Sequence, residues 1–124
     1  MHLLIVLSLT LLIQCKPSSP EEVQVNERHK EIMVIHDDVM PKMKDIYQLK
    51  KSLKTLPADS TTTSLIDDLD AADEAMMEWM HQYKKPKSIT PEVWDYLDGQ
   101  EKAIAIVRDQ MLLSISNAKK YLEE

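Results

Sequence analysis

Apolar side chains recur along this chain at steps of three and four in three separate runs. In the first, Val25, His29, Ile32, His36, Val39, Met43, Ile46 and Leu53 fall on one line, with Lys50 the only charged residue on it. That spacing puts them on one face of a helix running from Glu21 to about Lys54. Met33, Met40 and Tyr47 follow beside the line at seven-residue intervals and widen the stripe. Pro41 interrupts it. Proline lacks the amide hydrogen and crowds the carbonyl four residues back, at Asp37, so a kink or short break is expected there.

Residues Leu56 to Thr63, with Pro57, Asp59, Ser60 and three threonines, read as a connector. Ser64-Leu65-Ile66-Asp67 then reads as a helix start with a shortened capping box. Leu65, Leu69, Ala72, Met76, Trp79 and Tyr83 carry the second seam. Acids crowd its beginning and Lys84-Lys85 close it, as the helix dipole favours. After the turn Pro86-Lys87-Ser88, the run Thr90-Pro91-Glu92 marks a third start, with an N-cap, a proline in the first turn and an acid beside it. Val93, Leu97, Ile104, Val107, Met111, Ile115, Ala118 and Leu122 form the third face. Gly99 within it costs about 1 kcal/mol relative to alanine and predicts a weak point. Short connectors favour antiparallel neighbours, and Lys50, Lys51 and Lys54 would meet the acidic start of the second helix. The expected fold is all-α, an up-down-up three-helix bundle over residues 21–124, its long first helix kinked at Pro41.

Composition narrows the chemistry. One glycine and no phenylalanine in 124 residues argue against a turn-rich β fold and against a glycine loop around a phosphate. A net charge of −6 argues against nucleic acid as a partner. The pairs Asp37-Asp38 and Asp67-Asp68 are adjacent, so on a helix they diverge instead of forming an acid/base couple. Ser60 to Ser64 has no associated base and reads as connector and capping chemistry. Neither HExxH nor GxSxG occurs. A non-enzymatic protein is expected.

Before the first helix, Leu3 to Ile13 carry nine apolar residues in eleven. A membrane-spanning helix needs about 20, whereas a signal-peptide apolar region is this short. Leu12-Ile13-Gln14-Cys15 resembles the lipobox of bacterial lipoproteins, whose cysteine is lipidated and becomes the new N-terminus. That resemblance implies a cleaved leader over residues 1–14, an acylated Cys15, and a tether over 15–20 that reaches at most about 20 Å. Cys15 is the only cysteine, so no internal disulfide forms. Lys16, where some bacteria use an aspartate for inner-membrane retention, favours the outer membrane of a Gram-negative cell.

His36-Asp37-Asp38-Val39-Met40-Pro41-Lys42-Met43, Ala72-Asp73-Glu74-Ala75-Met76-Met77-Glu78-Trp79-Met80 and Met111-Leu112-Leu113-Ser114-Ile115 resemble a family of small bacterial lipoproteins often labelled "viral A-type inclusion protein". The resemblance implies a lipoprotein leader followed by a helical domain. It brings no activity, ligand or catalytic residue.

One stripe could carry chemistry. His29, Met33, His36, Met40 and Met43 share a face of the first helix, and Met76, Met77, Met80 and His81 cluster on the second. Thioether and imidazole donors suit Cu(I), and paired His and Met also ligate haem iron in some helical cytochromes. Methionine equally fills irregular core gaps, and here it can replace the missing phenylalanine. The leading expectation is a lipid-anchored envelope module that contacts another envelope protein or itself, with Trp94, Tyr96 and the Pro41 kink as contact features. The alternative is a Cu(I)- or haem-binding bundle.

Overall fold

Ser19 opens the first helix by reciprocal capping. Its hydroxyl accepts from the Glu22 amide at 3.2 Å, while the Glu22 carboxylate accepts from the Ser19 amide at 2.9 Å. Pro20 follows at the first helical position, where its missing N–H is no loss. The computed structural model describes residues 15–124; the expected leader over 1–14 lies outside them. Four helices follow: α1 Pro20–Val39, α2 Lys42–Leu53, α3 Ser60–Gln82 and α4 Val93–Glu123. No helix among the described residues is long and apolar enough to cross a membrane.

The helices α1 and α2 are one rod broken at Met40-Pro41, where the single-helix pattern met its proline. The Met40 amide still donates to His36 at 2.9 Å, and the Met43 amide turns back to Met40 at 3.1 Å. The break therefore spans one turn, and the seam crosses it without losing register. Val25, Ile32, Val39, Ile46 and Leu53 are all buried at seven-residue steps. Tyr47 departs from the expected stripe: it is 68% exposed and points outward. Its phenol hydroxyl makes that position affordable in water.

The second start also moves. Asp59, not Ser64, is the N-cap: its carboxylate accepts from the Thr62 amide at 2.8 Å, and the Thr62 hydroxyl accepts from the Asp59 amide at 3.0 Å. The bond from the Thr62 amide, helped by the Thr62 hydroxyl and the Thr61 amide, holds the Asp59 carboxyl below its ordinary range. Thr62 is buried as part of the cap. At the third start, Pro91 and Glu92 lie in a turn closed by the Val93 amide to Thr90 at 3.1 Å, and α4 begins two residues later than the proline suggested. Gly99 does not interrupt α4.

Cross-links fix the direction of each helix. Arg28 pairs with Asp98 and with Glu101 at 2.7 Å, and Asp45 approaches Lys119 at 3.9 Å, so α1–α2 and α4 run parallel. Lys50 pairs with Asp70, and the Tyr96 hydroxyl reaches Lys84, so α3 runs against both. The result is the all-α, up-down-up three-helix bundle with a bent first helix. Helix α3 packs chiefly on α4, and so does α1, whereas α2 packs on both α3 and α4. Ile32, Ile46, Leu53, Leu69, Met76, Leu97, Ile104 and Met111 are its largest fully buried side chains.

Candidate functional site

Where α1 faces α3, large polar-tipped side chains carry the contact. His29 Nδ1 lies 2.8 Å from the Tyr83 hydroxyl, with the two rings 5.8 Å apart and nearly parallel. Tyr83 stacks on Trp79 at 4.9 Å and faces Tyr96 at 6.2 Å. Trp79 in turn meets His36 at 5.7 Å, tilted by 33°. These separations lie in the range where aromatic pairs attract beyond simple burial, by about 0.5 to 1.5 kcal/mol each. The ladder of five rings exists because Trp79 in the last turn of α3 is four residues from its C-cap Tyr83, and His29 and His36 are two turns apart on α1.

Each histidine has its own setting. Burial, and then the nearby charge of Lys85, pushes His29 below its ordinary value of 6.5. His29 Nδ1 and the Tyr83 hydroxyl share one hydrogen bond, whose direction follows the tautomer of the ring. Burial also pushes the Tyr83 phenol above its ordinary value of 10.0. His36 is 15% exposed; its Nδ1 contacts Asp37 Oδ1 at 2.9 Å, and its Nε2 lies 3.2 Å from the Met80 sulfur. His81 is exposed on the far side of α3 from the core.

The sequence stripe is thus brought together in part. His36 and Met80 meet. His29 is taken up by Tyr83. Met33, Met40 and Met43 are half-buried against the core, Met76 is fully enclosed, and Met77 is exposed beside His81 along an open groove that Met80 also lines. Among the described residues, no group of three or more His, Cys, Asp or Glu side chains converges. Across the α1–α3 seam, one imidazole and one thioether are in direct contact. Trp94 and Tyr96 are half-buried, and the Tyr96 hydroxyl bridges the backbone of Lys84, accepting from its amide at 2.9 Å and donating to its carbonyl at 2.8 Å. Tyr96 thus ties the end of α3 to the start of α4.

Sequence reasoning did not pair Tyr83 with His29 or Asp37 with His36. Tyr83 was visible as the last member of the second seam, seven residues beyond Met76. Nothing in the order of residues pairs it with a particular histidine. Cys15 is exposed and lies outside any helix, four residues before the cap at Ser19. Against known protein families, curated proteins and solved structures, the chain finds no match.

Proposed function

We propose that the chain is a non-enzymatic, lipid-anchored module of the cell envelope, held at Cys15 in the outer membrane and offering one face of its bundle to another envelope protein. The observation that carries the partner role is an apolar stripe on α4. Ile106 and Leu113 are seven residues apart, so they share a face, and they are 67% and 63% exposed. Leu113 also lines a shallow groove between α3 and α4 together with Asp68, Ala71 and Gln110. An apolar strip rimmed by polar side chains is how protein-binding surfaces are commonly built.

The anchor is supported by the lipobox-like Leu12-Ile13-Gln14-Cys15 and by the exposure of Cys15 ahead of the first cap. Each buried methylene of an acyl chain contributes about 0.8 kcal/mol, so two or more chains make attachment stable. Packing in the bundle does not involve the cysteine.

A photo-crosslinking residue at Leu113, in cells making the full chain, tests the partner role. The expected product is an adduct with another envelope protein that disappears when Ile106 is changed to lysine. Adducts with the chain itself would replace the partner reading by self-association, and no adduct would remove it. Independently, metabolic labelling with a fatty-acid analogue should mark the wild type and not Cys15→Ser.

A further inference from the structure

We propose that His36 and Met80 form a Cu(I) site in the seam between α1 and α3, with Met40 as a third donor. A carboxylate only accepts hydrogen bonds, so the 2.9 Å contact with Asp37 places the proton of the neutral His36 ring on Nδ1. The lone pair of Nε2 then faces the Met80 sulfur at 3.2 Å, and a thioether sulfur offers lone pairs and no proton. When the ring is neutral, two electron-pair donors thus confront each other across a half-buried contact, and a cation between them would stabilise both. Carboxylate, imidazole and metal in that order are the usual arrangement at metal-bound histidines, where the carboxylate fixes the tautomer and raises ligand basicity.

The donor set selects the ion. Imidazole and thioether suit soft Cu(I), whereas harder cations prefer oxygen ligands. With bonds of about 2.0 Å to nitrogen and about 2.3 Å to sulfur, a separation of 3.2 Å corresponds to a ligand angle of about 95°. Opening it toward the trigonal angle needs about half an ångström more, within reach of methionine's three rotatable bonds. Met40 lies one turn beyond His36 on the same face of α1 and is half-buried there. Met80 lines the open groove along α3 and the His36 side chain is 15% exposed, so each donor has its own opening to solvent. An iron porphyrin would need His36 and Met80 on opposite faces of a macrocycle. Because the two are in contact, that requires prising α1 from α3, while a single ion requires only a small side-chain shift.

The test is an anaerobic Cu(I) titration of the full chain carrying Cys15→Ser, which removes the free thiol as a competitor, against a chromophoric Cu(I) chelator. The expected result is one Cu(I) held per chain, with nitrogen and sulfur neighbours in its X-ray absorption spectrum. His36→Ala and Met80→Leu should each weaken binding at least tenfold, Met40→Leu should weaken it less, and Met77→Leu with His81→Ala should leave it unchanged. The proposal is overturned if the chelator strips copper equally from the parent and from His36→Ala, or if the Met77/His81 variant alone loses it. It also fails if the absorption spectrum shows no sulfur neighbour. That spectrum decides by itself should circular dichroism show Met80→Leu unfolded.

Discussion

The two ends of the bundle are held together by different materials. Toward α2, the interior is mainly aliphatic: Ile46, Leu53, Leu69, Met111 and Ile115 belong to one core, the buried Ser114 hydroxyl turns back to the Met111 carbonyl of its own helix, and Lys50 meets Asp70 at the rim. Toward the start of α1, the seam is a ladder of rings with heteroatoms at their tips. The backbones explain the difference. Helix α2 lies against both α3 and α4, so branched aliphatics fill the space, whereas α1 leans chiefly on α4 and must reach α3 through long side chains. Long side chains with heteroatoms bring donors and acceptors into a half-buried place, and such a place is where selective chemistry can arise.

That contrast can be broken by experiment. Leu69 is fully enclosed, so Leu69→Ala should cost about 3 kcal/mol in urea unfolding, the range for a buried leucine that leaves a cavity. Trp79→Phe should cost about 1 kcal/mol or less, because the Trp79 indole N–H is buried and finds no acceptor among the described residues. The lost area is then offset by removal of an unpaired donor. Equal costs for the two variants would mean that the seam is as tightly fitted as the core. Gly99→Ala, on α4 beside the Arg28–Asp98 contact, should add about 0.5 to 1 kcal/mol, since a Cβ there meets nothing within 4 Å and the position is helical.

The smallest expected effect is on acid sensitivity. The native His29 binds a proton less readily than the unfolded chain does. Its contribution is therefore complete above about 6.5, its ordinary value, and is lost as pH falls from there toward the lowered native value. Comparing urea midpoints at about pH 7.5 and about pH 5.5 should show a drop that His29→Gln reduces. An unchanged drop would place the acid sensitivity outside the seam.

Hydrophobic spacing was enough to find the three faces, since Val25, Ile32, Leu69, Ala72, Leu97 and Ile104 are all buried as their steps of three and four required. Helix starts were harder to read. The cap at Asp59 uses Thr62 in place of the usual glutamate or glutamine, and a run of β-branched threonines looked like connector. Tyr47 kept the interval of the stripe but not its direction, because the bend at Met40-Pro41 and the width of the buried face decide which flank turns inward. Sequence put His36 on the seam of the first helix and Met80 in a methionine cluster of the second. It could not show that they meet, because that depends on the offset of α1 along α3. His29 and Tyr83, held by the same offset, show that one step along the ladder exchanges a sulfur partner for a phenol.

Three antiparallel rods, with α1 and α2 counted as one, send the two termini of the described chain to opposite poles. The connector from Tyr83 to Glu92 lies at the pole of the tether, where Lys85 and Lys87 line a shallow groove with Ser18 and Glu22. Helix α4 then climbs away for 31 residues, about 45 Å at 1.5 Å per residue. With Cys15 held in a membrane as proposed, Leu113 stands about 30 Å up that mast, by the same rise per residue. Anchored that way with its axis upright, the bundle would be a standoff post. A partner whose reach above the bilayer is much shorter than this height would pass beneath the apolar stripe, and the length of one helix would set which neighbours can dock.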